Sequence, residues 1–414
     1  MKWQDTLQFV VMVLMGAAMP LSWRLGLWTA VLLAVVSLVK IFADRHDRPI
    51  GTSSHSLFNP ALNGWMRAAL WAAVAYVAIF AVSLLYSNDL SAGLNTLWHK
   101  AVLLIFPLCF LLTDSSYLKP LHIRIVFYAL LVAVCGVFLY RTGCAVSKMI
   151  DGASLKSVTG MTFDNRHHSY YALYALVVLV FVYFELAGHW GELRVWHRVL
   201  LLVSAAFGIL YMVLVNSRAG IIGLYAMAVL CPLHLALCHK RWWQALLAAL
   251  LLVGFTFAAE SLLPGHQNRV LATLDAGKED ARVGIFQSTL EVVKQRPLTG
   301  LGVGDYEAAL HDQYADDEQT FAGKDFNAHN QYAETLLAVG VIGLLLLLVY
   351  LLLPLVCAIG RKSVFWQVLF FMGVIMFNLL FESMLERQMG LLFIGFFMAV
   401  MILITSIRDG AHDN

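Results

Sequence analysis

The chain has 414 residues, of which 60% are hydrophobic and only 13% are charged, about half the charged share of a typical soluble domain. Its formal net charge is +2, so it has no global basic field that could hold a polyanion. These figures exclude a soluble globular enzyme, a disordered chain and a nucleic-acid binder. They favour a single integral membrane domain over residues 1–414.

Apolar segments follow one another along most of the chain, and a bilayer crossing needs about 20 such residues. We predict about twelve transmembrane helices, at 6–22, 25–43, 66–86, 97–113, 122–140, 169–187, 199–215, 219–238, 244–263, 330–357, 364–382 and 389–407. Because membrane helices satisfy their own backbone hydrogen bonds, the predicted fold is an all-α polytopic membrane protein.

Lys and Arg residues are more frequent in one set of short loops, which predicts that both termini are cytoplasmic. Two long segments, 141–168 and 264–328, then lie on the external face. The second follows predicted transmembrane helix nine and precedes helix ten. Apolar residues recur at helical spacing over 283–295, and Asp305 is placed to cap a second short helix. We expect both helices to lie over the membrane surface and cover a cavity.

Arg218 stands between two apolar segments with almost no loop between them, so it must lie at or near the external interface. It either reaches toward lipid headgroups or faces a cavity as an anion ligand. Arg282 begins the amphipathic loop helix, where the helix dipole disfavours a cation. It is either a solvated surface residue or part of an anion site shared with free backbone N–H groups.

His329 and Asn330 lie where the long loop meets the tenth apolar segment, and Gly340 and Gly343 follow within that segment. Histidine is the usual side chain for proton transfer near neutral pH, although an interfacial histidine can also be purely structural. The two glycines have a plain structural interpretation, namely close packing of helices in lipid.

Further polar residues are predicted on the same external face, and four of them are candidates for a supporting role: Arg166, His168, Glu382 and Arg387. This convergence favours an externally facing site. We predict no metal site, because adjacent histidines at 167 and 168 point apart on a helix and no EF-hand pattern is present. The acidic residues at 312–318 are interpreted as a solvated face, with a divalent ion as the minority alternative. No cofactor is predicted.

These motifs together resemble the O-antigen ligase family, within the superfamily that also includes the Wzy-type polymerases. His329 and Asn330, then nine residues, Gly340, two residues and Gly343 match the family's H-[N/S/Q]-x9-G-x2-[G/T/Y] signature. The segment NSRAG resembles the family's essential Arg, which would be Arg218, and DARVGIF resembles its second Arg, which would be Arg282. KQRPLTGLGVGDY is similar to the family's P-x-x-G-x-G stretch, and FDNRHHSYY to its polar entry into a mid-chain helix.

The resemblance implies a GT-C-like, metal-independent and inverting glycosyltransferase of the bacterial inner membrane, with its active site facing the periplasm. The donor would be a glycan on undecaprenyl diphosphate, and the acceptor would be lipid A–core oligosaccharide. Membrane lipids would be further partners. His329 would be the general base, and Arg218 and Arg282 would bind the diphosphate. The alternatives are a Wzy-type polymerase, a protein-directed oligosaccharyltransferase of the same superfamily and, from a different class, a lipid-linked glycan transporter.

Overall fold

The computed structural model describes residues 1–46, 58–152, 168–215, 217–240, several residues between 242 and 254, 281–317, 319, 323 and 326–407. It is 84% helical, and the described residues contain no strand. The prediction of an all-α polytopic membrane protein is therefore confirmed. The fourteen helices of the described residues are α1 Trp3–Leu21, α2 Trp23–His46, α3 Gly64–Ser83, α4 Leu90–Ala101, α5 Ile105–Leu112, α6 Pro120–Ile150, α7 His168–His189, α8 Val195–Val215, α9 Arg218–His239, α10 Ala281–Gln295, α11 Tyr306–Asp316, α12 Gln331–Ala358, α13 Lys362–Leu379 and α14 Gln388–Ser406.

Eleven spans in the described part of the chain are long and apolar enough to cross a membrane. Each corresponds to one of the twelve predicted segments. The predicted segment at 244–263 falls largely outside the described residues. The fourth span, Leu90–Leu112, consists of α4 and α5 joined by a short 3-10 turn, Val102–Leu104. Residues 141–150, expected in a loop, continue α6 instead.

The chain divides into two compact units. The first contains residues 1–129, 281–372 and 379–414, and its centre is α14, which is almost entirely buried. Around α14 pack α2, α3, α5 and α12, while α12 also runs along α3. Because α14 is apolar on all sides, it suits a position enclosed by other helices.

Helix α12 is broken at Gly340, where φ is +65° and ψ is −164°, a conformation essentially restricted to glycine. Gly340 lies about 14 Å along the helix axis from Gln331. The loop after α10 fills the break with its backbone. Four backbone hydrogen bonds join the two segments. The N–H groups of Leu301 and Gly302 donate to the carbonyl oxygens of Leu337 and Ala338, and those of Val341 and Ile342 donate to the carbonyl oxygens of Pro297 and Leu298.

This junction, formed by residues 297–302 and 337–342, explains the first glycine of the signature. A Cβ on Gly340 would lie 2.3 Å from the carbonyl oxygen of Leu298, and one on Gly300 would lie 2.5 Å from the carbonyl carbon of Ala338. The close packing inferred from the sequence is real at Gly340, but its partner is a loop and not a second helix in lipid. A break within a span of membrane length needs such partners, because lipid offers none.

The loop continues into a second attachment at the end of α3. The carboxylate of Asp305 accepts hydrogen bonds from the backbone N–H groups of Asn88 and Asp89, at 2.8 and 2.9 Å, and from the Asn88 side chain. Asp305 does precede α11, but its side chain makes no capping bond to that helix. The predicted cap is therefore wrong, since the carboxylate is engaged by a turn more than two hundred residues earlier in the chain.

The second unit contains residues 130–280 and 373–378, and in it α7 packs against α8 and α9. Arg141 of α6 is buried here. Its guanidinium lies over the ring of Tyr171 at 3.9 Å and donates a hydrogen bond to the hydroxyl of that tyrosine. This contact accounts for a charged residue inside α6, where the sequence predicted that the helix had ended.

Candidate active site

His329 occupies a strained turn just before α12. Its φ is +46°, and among the described residues only Lys240 is another non-glycine residue with a positive φ. Such backbone conformations cost free energy and often occur at functional sites. The turn is held by the side chain of Asn327, which accepts the His329 N–H at 3.0 Å. Asn330 then caps α12 by accepting the N–H groups of Tyr332 and Ala333.

The imidazole of His329 pairs with a carboxylate from a distant part of the chain. Its Nδ1 lies 3.3 Å from Oε1 of Glu382, and the two side chains are 20% and 7% exposed. The contact is electrostatic rather than an aligned hydrogen bond, and the negative charge of a carboxylate beside Nδ1 favours the tautomer that carries its proton there. Nε2 is then the basic nitrogen. The structure thus brings together His329, Asn330 and Glu382 from the predicted set.

The turn that carries Glu382 is attached to the first turn of α12 through Gln331, a fully buried residue. The Gln331 amide nitrogen donates to Glu386 at 2.9 Å, and its carbonyl oxygen accepts the N–H of Leu385 at 2.6 Å. A single side chain therefore satisfies both a carboxylate and a backbone N–H of this turn. Buried polar groups need such partners to offset the cost of leaving water.

A buried ion pair fixes the same turn from the other side. Lys100 of α4, with a side chain only 2% exposed, lies 2.7 Å from Glu386. Its ammonium also lies 4.2 Å from the ring centre of Phe80. The hydroxyl of Tyr306 is bonded to Glu307 and Glu386, and burial, together with these carboxylates, raises the pKa of Tyr306 well above its usual range. The hydroxyl therefore stays protonated and remains a donor, with Glu307 at 3.0 Å as the nearer acceptor and Glu386 at 3.4 Å as the farther one.

The remaining predicted residues of the first unit lie on its helix ends. Arg282 is in the first turn of α10, as predicted, and is partly exposed. Helix α10 packs against both α11 and α12. Arg387 is exposed and immediately precedes α14, where its carbonyl oxygen accepts the N–H groups of Gly390 and Leu391.

Arg218 is the first residue of α9, in the second unit, and the side chain of Ser217 caps this helix through the N–H of Gly220. The orientation of the Arg218 side chain lies outside the described residues. The same holds for the whole of Arg166 and for the side chain of His168, the first residue of α7.

In the part of the chain that is described, no three His, Cys, Asp or Glu side chains are arranged as metal ligands would be. One of the acidic residues near the end of α11 has partners within the fold. Asp317 accepts hydrogen bonds from the hydroxyl of Ser288 and the amide of Gln313. Glu318 lies outside the described residues.

Comparison with known families bears on residues 202–348, which match the family model of the O-antigen ligases. Over these residues the chain is similar to an O-antigen ligase domain. The resemblance seen in the sequence is thereby confirmed. The matched segment includes Arg218, Arg282, His329 and Gly340, and it ends before Glu382. The curated proteins searched contain no match to this chain. A match to this family model indicates a glycosyl-transferring enzyme.

Several residues that build this site were not singled out from the sequence: Lys100, Tyr306, Gln331, Glu334 and Ser383. Two of them did carry a signal, because Lys100 and Glu334 are ionisable residues within apolar spans. Ionisable residues in such positions are costly and are retained for a function or a partner. The partners of Lys100 and Glu334 are far away in sequence, so the position of an ionisable residue in an apolar span does not reveal which residues it contacts.

Proposed function

We propose that the protein is an O-antigen ligase that transfers a glycan from undecaprenyl diphosphate to a sugar hydroxyl of lipid A–core at the periplasmic face of the inner membrane. The observation that carries this proposal is the pairing of His329 with Glu382 beside the family's helix signature. A histidine held by a carboxylate is suited to general base catalysis, because its second nitrogen is left basic and oriented.

In the proposed reaction, Nε2 of His329 removes the proton from the acceptor hydroxyl. The hydroxyl oxygen attacks the anomeric carbon of the donor, and a glycosidic C–O bond forms as the bond to the diphosphate oxygen breaks. Undecaprenyl diphosphate leaves with the electron pair, and the anomeric configuration inverts in this single displacement. The imidazolium that results is stabilised by the carboxylate of Glu382.

Negative charge develops on the diphosphate as it leaves, and we assign its stabilisation to Arg218 and Arg282. A guanidinium offers a permanent charge and two parallel donors that fit phosphate oxygens. Preorganised donors of this kind act without a metal ion. Arg282 stands at the start of a helix, where free backbone N–H groups also attract an anion. Asn330 and Arg387 are proposed only as supporting residues.

Reconstituted transfer in the presence of EDTA tests this proposal. Purified protein is mixed with undecaprenyl-diphosphate-linked glycan and lipid A–core, and both lipids are followed on a gel. We expect the glycan to move onto lipid A–core. Growth of the undecaprenyl-linked glycan would instead identify a polymerase, and movement of the donor across a vesicle membrane without a new glycosidic bond would identify a transporter. Loss of transfer in EDTA that magnesium restores would contradict metal independence.

Replacing Arg218 or Arg282 with lysine tests the bidentate role. Each variant keeps the positive charge but loses the planar fork, so we expect kcat to fall by about 10-fold or more, given that removing one such donor outright costs about 100- to 1,000-fold. The measurement is the transfer rate at saturating donor. Arg296→Lys is the matched control, since Arg296 is an exposed arginine just after α10. Full activity in Arg218→Lys would show that bidentate binding is not needed there.

A further inference from the structure

We propose that Glu334 is a positioning residue that sets the separation between His329 and Glu382. This inference rests on the proposed role of His329 as the base. Glu334 lies in α12, about one helical turn beyond Asn330, and is only 1% exposed. It was not among the residues selected from the sequence.

One oxygen of Glu334 joins the two segments that carry the pair. Its Oε2 accepts the N–H of Ala328 at 2.8 Å and the hydroxyl of Ser383 at 3.0 Å. Ala328 immediately precedes His329, and Ser383 immediately follows Glu382. The same oxygen is thus linked to the direct neighbour of each member of the pair. Displacing it would move the imidazole and its carboxylate relative to each other.

The cost of burying Glu334 supports a specific role. Its second oxygen, Oε1, is buried and has no hydrogen-bond partner among the described residues. A buried carboxyl with an unsatisfied oxygen is expensive, and an apolar residue would pack at this position without that cost. The two bonds at Oε2 are what an apolar residue could not supply. Without them, the buried N–H of Ala328 would lose its partner.

Gln331 contributes a second attachment on the same face of α12. Residues three apart on a helix are neighbours on its surface. The Gln331 side chain makes hydrogen bonds to Leu385 and Glu386, and the Glu334 side chain makes one to Ser383. Gln331 therefore secures the far end of the turn, and Glu334 secures the end next to Glu382. Only Glu334 also bonds the backbone before His329. Loss of the Glu334 side chain should therefore change the distance between His329 and Glu382 while Gln331 still attaches the turn to α12.

A charge or proton-transfer role for Glu334 makes the opposite prediction from a positioning role, and two substitutions separate them. Glu334→Gln removes the charge but keeps an oxygen at the same reach, able to accept both bonds. Glu334→Asp keeps the carboxylate but shortens it by one methylene group. A positioning role requires reach, whereas proton transfer requires an ionisable group.

The experiment measures kcat and the KM for undecaprenyl-diphosphate-linked glycan in both variants, with the melting temperature of each in detergent. We expect Glu334→Gln to keep kcat within about 3-fold and Glu334→Asp to lower it by about 10- to 100-fold with KM nearly unchanged, since a displacement of about 1 Å costs about 100-fold. Ser383→Ala, which removes one of the two bonds, should fall between them.

Thr335→Val is the matched control. Thr335 is the next residue of α12 and is fully buried. Its hydroxyl bonds that of Tyr76 at 3.1 Å and donates to the backbone carbonyl of Gln331 at 2.8 Å, so its substitution removes buried hydrogen bonds without removing either bond of Glu334. We expect this variant to lose stability but to keep its kcat. Activity in Glu334→Asp with loss in Glu334→Gln would overturn the positioning role in favour of proton transfer.

Two other outcomes would also overturn the inference: wild-type kinetics in both Glu334 variants, or equal losses in both that follow the melting temperature. Failure of the proposed function is recognised separately. If His329→Ala kept normal turnover, the base assignment itself would be wrong, whatever the Glu334 variants show.

Discussion

Replacing His329 with alanine should reduce glycan transfer by about 100- to 10,000-fold, the contribution expected of a general base. The substitution removes Nε2, the nitrogen to which we assign the proton transfer. The KM for the lipid-linked donor should change little, because deprotonation of the acceptor belongs to the chemical step. The measurement is the single-turnover rate with both lipid substrates saturating.

His311→Ala supplies the control for this prediction, since His311 lies on α11, where its ring centre is 6.1 Å from that of Tyr314, and is not part of the turn that carries His329. It should transfer glycan at nearly the wild-type rate. Glu382→Gln should give an intermediate loss, because the amide still contacts the imidazole but no longer stabilises its charged form. Normal turnover in His329→Ala would refute the base assignment.

Replacing Gly340 with alanine should strongly destabilise the protein. The new Cβ would lie 2.3 Å from the Leu298 carbonyl oxygen and 2.6 Å from the Gly300 nitrogen, both backbone atoms that cannot rotate away. The backbone conformation alone costs a non-glycine residue about 1–3 kcal/mol. We expect a clearly lower melting temperature in detergent and loss of transfer, because α12 also carries the turn of His329.

Two other glycines distinguish this effect from a general response to added volume. A Cβ on Gly136 of α6 or Gly373 of α13 would have no heavy atom within 4 Å. Alanine at these helical positions should be neutral or stabilising by up to about 1 kcal/mol, because it loses less backbone entropy than glycine. A wild-type melting temperature in Gly340→Ala would contradict the junction between α12 and the loop.

The junction has a consequence for the candidate site. Residues 297–302 follow α10, which begins at Ala281 beside Arg282, and they bond directly to α12. Asp305 then ties the same loop to the end of α3. The long polar loop is thus anchored at two points in its second half. A catalytic constellation needs such rigid support, because small displacements of the reacting groups are costly.

Much of the fold was predictable from the sequence, because helices in a membrane protein are encoded by local composition. Eleven apolar segments reappear as spans, and the helix expected at 283–295 is present as α10. The prediction failed where a polar side chain has a distant partner. Aspartate is a common helix cap, yet the carboxylate of Asp305 binds the backbone of Asn88 and Asp89. No local sequence pattern indicates these distant partners.

The sequence by itself determined the helical class, the order of the motifs and the similarity to the O-antigen ligases, because apolar periodicity and the spacing from His329 to Gly343 are properties of short segments. Only the tertiary structure decided what these residues contact. It paired His329 with Glu382, broke α12 at Gly340 to admit a loop, and placed Glu334 between the two halves of the pair. These contacts join residues far apart in the chain, and their geometry depends on how whole helices pack.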